Sequence, residues 1–166
     1  AYHRGYREYL ARGRSDRMPR MFGFQAEGSA PIVRGERVTS PETIASAIRI
    51  GNPASWDLAL AAQADTNGYF GAISDEGILQ AHRLLSREVG VFVEPASAIS
   101  VAGLLERSEQ GALDRGAVAV LTVTGHGLKD PQWALIGEDG QDVQPVKVPV
   151  NVENVASVLG LEKESR

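Results

Sequence analysis

The stretch Ala117-Val118-Ala119-Val120-Leu121-Thr122-Val123 constrains the fold of this chain more than any other. It is a nearly continuous run of β-formers in which apolar and polar positions barely alternate. A strand with one wet face alternates; a strand covered on both faces does not, and such strands belong to parallel sheets layered between helices. The run ends at Thr124-Gly125-His126-Gly127, where the glycines allow a ligand to approach the backbone closely. Ligands of open parallel sheets bind beyond the carboxyl ends of the strands, so this loop falls on the functional rim.

The rest of the chain keeps a strand–helix rhythm. Strands are predicted at Arg20 to Gln25, Gly68 to Ile73 and Val91 to Val93, the last too short and apolar to be other than buried. Tyr2, Tyr6, Tyr9 and Leu10 fall at helical spacing over residues 1–12, with Gly13 as the stop. Ser40-Pro41-Glu42 combines a hydroxyl cap, an N-terminal proline and a first-turn acid, predicting a helix through Ile44, Ala45, Ala47 and Ile48 to Gly51. Asn52-Pro53 repeats the signal for a helix over Ala54 to Ala64. Ser74 and Asp75 cap another, with Ile78, Leu79, His82 and Leu85 on one stripe and Gly90 as its end. Pro95 opens a helix toward Gly111, and Asn151 caps a last one carrying Val152, Val155, Val158 and Leu159. Trp133 to Ile136 and Val143 to Val150 read as short extended pieces. The expectation is an α/β fold with a mostly parallel sheet and helices on both faces. Residues 1–166 form one unit, with 131–166 as a C-terminal extension packing on it.

Composition removes whole classes of function. The 166 residues are 43% hydrophobic, enough for one domain with a core. There is no cysteine, hence no disulfide framework, thiolate zinc site or cysteine nucleophile. No apolar run reaches membrane-spanning length. Net charge is −4, and the one basic run, Arg4 to Arg20, is interrupted by Glu8 and Asp16. It reads as a solvated helix face and linker rather than a nucleic-acid surface. The chain opens at Ala1 in mid-element, which suggests a piece of a longer protein.

The candidate residues gather at the rim. Thr124 would be held by sheet geometry and could bond a ligand heteroatom or cap its own turn. His126, between two glycines, could be an acid–base group or a packed loop residue. Glu94, between a short strand and Pro95, could contact a ligand or favour the helix amides behind it, and Glu27 has similar standing. His82 lies on an apolar stripe and reads as packing, and His3 sits in the first helical turn. No catalytic triad, no metal-ligand spacing and no nucleotide P-loop is present.

Val120-Leu121-Thr122-Val123-Thr124-Gly125-His126-Gly127-Leu128-Lys129-Asp130-Pro131 resembles the C-terminal signature of the bacterial threonine synthases. These are pyridoxal-phosphate enzymes of the tryptophan-synthase-β-like fold. Three further segments agree with that resemblance, in the family's order: Gly23 to Pro31, Ala47 to Trp56 and Phe92 to Ala98. The implied fold is the C-terminal half of the large domain of a fold-type II pyridoxal-phosphate enzyme.

The resemblance implies roles as well. Thr124 matches the residue whose hydroxyl pairs with the pyridine nitrogen of the cofactor. Ile50 and Gly51 match a loop lying against the cofactor, and Glu94 and Ser97 a patch near its ring side. His126 matches a loop residue near the site with no assigned catalytic duty. No catalytic residue and no metal ligand is expected within the chain: the cofactor-linking lysine, the Gly/Asn-rich phosphate loop and the small mobile domain are expected elsewhere, and Lys129 matches a non-catalytic position. The whole enzyme, expected to be a cytoplasmic homodimer, would convert O-phospho-L-homoserine and water to L-threonine and phosphate, with no nucleic-acid or membrane partner. The piece alone is expected to be inactive. A part of another pyridoxal-phosphate lyase such as threonine dehydratase, or a non-catalytic assembly or regulatory module, are the other readings.

Overall fold

The computed structural model describes residues 1–136, 141, 144 and 146–161, and divides into two compact units, Ala1–Pro131 and Gln132–Arg166. The first is built on two parallel strands, β1 (Phe22–Ala26) and β2 (Tyr69–Ile73), paired from Phe22↔Tyr69 to Ala26↔Ile73. Parallel partners need a crossover, and here it contains α2 (Pro31–Arg34) and α3 (Trp56–Thr66), following an N-terminal helix α1 (Tyr2–Ala11). Asp65 on α3 pairs with His3 at 3.2 Å and Arg7 at 3.7 Å, tying α1 to α3.

Behind β2 come α4 (Asp75–Leu84), whose last turn widens into a π-type turn at Leu85–Val89, and α5 (Pro95–Glu109). Ser74 caps α4 by accepting the Gly77 N–H, and Gly90 ends the segment at φ +71°, the left-handed region where a Cβ is disfavoured. Proline at the first position of α5 sacrifices no intrahelical bond. Both strands and α4 pack on α5, and Pro95 through Gly103 are buried except Ser100. Small residues make this possible: a Cβ on Gly103 would collide with the Phe24 ring, so the helix lies directly on the aromatic face. Ala26, Ile73, Ile78, Ala81, Ala98 and Ala102 form the centre of the core.

The parallel sheet and its helices match the α/β expectation, but three elements before Thr124 differ. Residues 40–51 are a loop with one 3-10 turn, Ser46–Ile48, and not a helix. The Asp75 carboxylate captures the Thr43 hydroxyl and the Ile44 N–H at 3.1 Å, Thr43 Oγ1 takes the Ala45 N–H, and Gly51 pairs with Val38. These groups are thereby diverted from a helical ladder, and tertiary contacts override the cap signal. Val91–Val93 forms no strand beyond a single antiparallel bridge, Val93↔His126, although Val93 is buried.

The third difference concerns residues 117–123. The expected doubly covered strand is extended chain without a ladder, and Val118 and Val120 are 91% and 86% exposed. Among the described residues only β1 and β2 form a ladder, so no neighbouring strand meets its amides and carbonyls.

Pro131–Ala134 is a 3-10 turn in place of the extended piece expected near Trp133. The helix α6 (Val152–Val158) is capped as expected, Asn151 Oδ1 accepting the Asn154 N–H at 2.8 Å. Val143 and Pro145, in the other expected extended piece, and the tail after Leu161 lie outside the described residues. No described helix is long and apolar enough to cross a membrane.

Candidate functional site

Because β1 and β2 are parallel and in register to Ala26↔Ile73, their carboxyl ends share one edge. The chain leaves β1 through a 3-10 turn, Glu27–Ser29, into α2, whose first amides are met by Gln25 Oε1: Ile32 N–H at 2.9 Å and Val33 N–H at 3.2 Å. Gly28 lies against the backbone of Glu42, where a Cβ would overlap the Glu42 carbonyl, and accepts the Glu42 N–H at 3.1 Å. Ser29 is buried and donates to the Ile48 carbonyl at 3.3 Å. Gly51 repeats the arrangement against Val38, whose N–H donates to Gly51 at 3.0 Å. The Arg49 guanidinium binds the Thr43 carbonyl. The result is a bridged loop that presents Ile50, about half exposed, beside the backbone of Gly51.

The second half of the site forms where Val93-Glu94 meets Gly125-His126-Gly127. The Glu94 N–H donates to the Gly125 carbonyl at 3.0 Å, and the Gly127 N–H to the Phe92 carbonyl at 3.2 Å. Ser97 Oγ accepts the Gly125 N–H at 2.7 Å from the first turn of α5. Glycine is needed at both positions for space: a Cβ at Gly125 would overlap the Glu94 carboxylate, and one at Gly127 the Phe92 ring.

Glu94 is 4% exposed, and its carboxylate meets Lys129 Nζ at 3.1 and 3.2 Å. A buried carboxylate needs such a counter-charge. The Ser46 hydroxyl donates to Asp130 Oδ2 at 2.6 Å, joining the 43–51 loop to the same turn.

The site residues read from the sequence fall into place unevenly. Glu94 and Ser97 form one cluster with Gly125 and Lys129, which were not read as site residues, and Ile50 and Gly51 belong to a loop connected to it through Ser46 and Asp130. Thr124 is exposed, directly precedes the fixed Gly125, and its hydroxyl has no partner among the described residues. The following turn is capped instead by His126, whose Nδ1 accepts the Leu128 N–H at 3.2 Å. Glu27 is exposed, with its carbonyl bound by Arg34, and stands apart from the cluster.

His82 is buried on α4 and stacks edge-on to Phe92, whose other neighbour is the His126 ring at 5.6 Å. Burial pushes its pKa below the ordinary value, a hydrogen bond to the Val93 backbone opposes this, and the adjacent Arg83 adds to the lowering.

Lys129 as the partner of Glu94 and Asp75 as the brace of residues 43–44 were not found from sequence. The usable signal for the first was a carboxylate in an otherwise apolar stretch, which demands a cation somewhere; nothing local indicated where.

The sequence profile described as "Pyridoxal-phosphate dependent enzyme" matches residues 1–125. The chain belongs to that family. Within this pyridoxal-phosphate-dependent family it is similar to threonine synthases, as the four motifs suggested. It is 55% identical to that of Mycobacterium leprae over 97% of this chain and 44% of the relative. It is 49% identical to that of Synechocystis over 96% and 41%, and 42% identical to that of Methanocaldococcus jannaschii over 94% and 40%. The chain thus spans less than half the length of these relatives. Among solved structures, a fungal L-serine ammonia-lyase from Rhizomucor miehei superposes with a TM-score of 0.51 at 16% identity, covering 80% of this chain and 54% of that one. That likeness concerns the fold alone.

The family's cofactor needs a covalent lysine, donors for its phosphate and a partner for its ring nitrogen. The residues present fit the last of these. Thr124 offers a hydroxyl that is exposed, unpaired among the described residues and mounted on fixed backbone. Lys129, by contrast, is engaged by Glu94.

Proposed function

We propose that this chain supplies the ring-nitrogen side of the pyridoxal-phosphate pocket in a threonine synthase that converts O-phospho-L-homoserine and water to L-threonine and phosphate. The observation that carries the reading is the free Thr124 hydroxyl next to the doubly bonded Gly125. When bound, the cofactor supplies an electron-accepting ring that stabilises negative charge developing next to the substrate's amino group. Thr124 would donate its hydroxyl hydrogen to the ring nitrogen. A neutral hydroxyl does not hold that nitrogen protonated as a carboxylate would, so Thr124 limits how much negative charge the ring takes up. Ile50 and Gly51 would form a wall of the same pocket, while His126 caps the turn behind Thr124. The similarity to threonine synthases at 42–55% identity supports the choice of reaction.

The chain by itself is proposed to be inactive, and the whole protein to be a cytoplasmic homodimer. Assaying the full-length protein separately with O-phospho-L-homoserine and with L-threonine tests the reaction: phosphate release with threonine formation is expected from the first, and 2-oxobutyrate formation from the second as the main activity would overturn it. For the isolated chain, reduction with borohydride in the presence of pyridoxal phosphate should label no lysine stoichiometrically. A single fully labelled lysine accompanied by threonine formation would refute the inactivity. Sedimentation of the full-length protein as a monomer would refute the dimer.

A further inference from the structure

Two buried polar side chains, Ser97 and Glu94, are bonded to the segment that follows Thr124. Ser97, 5% exposed, accepts the Gly125 N–H at 2.7 Å, and this single bond fixes the peptide plane between Thr124 and Gly125. Glu94 fixes the next plane: its own N–H holds the Gly125 carbonyl at 3.0 Å. Its carboxylate lies so close to Gly125 that no side chain fits there, and is neutralised from the far side of the turn by Lys129. The two residues are themselves joined, the Ser97 N–H donating to the Glu94 carbonyl at 3.0 Å. Both peptide planes flanking Gly125 are thereby locked, and Thr124 is joined to the first of them, so only the rotations within Thr124 itself are left to set the direction of its hydroxyl.

We propose that Glu94 and Ser97 are positioning residues that aim the Thr124 hydroxyl and do not touch the cofactor themselves. The inference rests on the reading that Thr124 partners the ring nitrogen. A threonine whose backbone is free to rotate samples several directions, and only one of them points at a given nitrogen. Locking the planes reduces that loss before binding, which is where preorganisation gains affinity.

The test is a mutant cycle in the full-length protein, read by pyridoxal-phosphate affinity and by the absorbance and emission maxima of the bound cofactor, with urea unfolding in parallel. Thr124→Ala and Ser97→Ala should each weaken cofactor binding by roughly fivefold to tenfold, the worth of one ordinary hydrogen bond. The double variant should be no weaker than either alone, because Ser97 has nothing to aim once the hydroxyl is gone.

Multiplying losses in the double variant would overturn the proposal, since they would mean that Ser97 acts on the cofactor or the fold independently of Thr124. An unchanged affinity and spectrum in Thr124→Ala would overturn the reading of Thr124 itself, and this proposal with it. Should Ser97→Ala fail to fold, Ser97→Cys enters the same cycle with the same expectation, since a thiol keeps the size of the side chain but is a weak acceptor for the Gly125 N–H. Restoration of affinity by Ser97→Thr, which keeps the acceptor oxygen, is expected; failure of that rescue alongside multiplying losses would count against it.

Discussion

Replacing Gly125 by alanine puts one methyl group into space that Glu94 already fills. The new Cβ would overlap the end of the Glu94 carboxyl group and lie 2.7 Å from its Cγ, so a small rotation of the acid cannot relieve it. Gly125 does not have a positive φ, so alanine carries no backbone penalty and the effect is one of space. Either Glu94 swings away and leaves Lys129, or the loop retreats and gives up its bonds to Ser97 and Glu94. Overpacking of this kind costs about 1–3 kcal/mol, and a lost buried hydrogen bond about 1 kcal/mol. Where Glu94 swings out into water, losing Lys129 adds little, because Lys129 is largely exposed already and the carboxylate is rehydrated. The expected total is roughly 2–4 kcal/mol, read from urea unfolding of the full-length protein. Glu94→Ala removes Cγ and the carboxyl group together, so Gly125→Ala/Glu94→Ala should cost less than the sum of the single variants by about 1–2 kcal/mol. Gly90→Ala is the contrasting case: nothing lies near its Cβ position, and its φ of +71° alone should cost about 1 kcal/mol. A cost below about 0.5 kcal/mol for Gly125→Ala, or strict additivity in the double variant, would refute the packing argument.

His82 gives a pH test. Its lowered pKa means that the unfolded chain binds a proton more readily than the folded one as pH falls below the ordinary value of 6.5. Its contribution to stability is therefore full above that value and is lost on acidification toward the folded pKa, with a slope of up to about 1.4 kcal/mol per pH unit. Unfolding free energies between pH 7.5 and 5 should show that slope, and His82→Gln should flatten it; an unchanged slope in the variant would assign it to other groups. The exposed segment 117–123 gives a test in solution. Val118→Lys/Val120→Lys in the isolated chain should change stability by no more than about 0.5 kcal/mol and reduce concentration-dependent association, measured by sedimentation. Destabilisation beyond about 1 kcal/mol would mean that the two valines are packed after all.

The local signals were reliable wherever the chain satisfies its own backbone. Ser74 before α4 and Asn151 before α6 were legible because a cap is a bond between near neighbours, and Pro95 opening α5 because proline suits a first helical position where no amide donor is needed. Residues 40–51 carry an equally good cap signal and form no helix, because Asp75, some thirty positions later, takes the Thr43 and Ile44 groups. No local pattern encodes that competition. Segment 117–123 failed differently: its composition reports the surroundings such a strand requires, and those surroundings are not among the described residues. The motifs placed Thr124, Glu94 and Ser97 in one region, and the structure then separated their environments. Thr124 is open while Glu94 and Ser97 are turned inward and bonded. The Glu94–Lys129 pair spans thirty-five positions, so sequence could show that Glu94 needs a cation without showing which one.

The turn at Gly125–Asp130 is fastened by Ser97, by Glu94, by the Phe92 carbonyl and by Ser46, all of which lie before residue 100. The stretch leading into it from α5 is held at Asp114 by Arg20 at 3.2 Å, at the Ala112 carbonyl by Arg107 and at the Thr122 carbonyl by the Ser100 hydroxyl at 3.3 Å, with no ladder between. That stretch acts as a tether and not as a strut. Trypsin has an exposed arginine within it, Arg115, and a cut there should leave the two pieces co-eluting under native conditions, with the Thr124 turn still seated on α5.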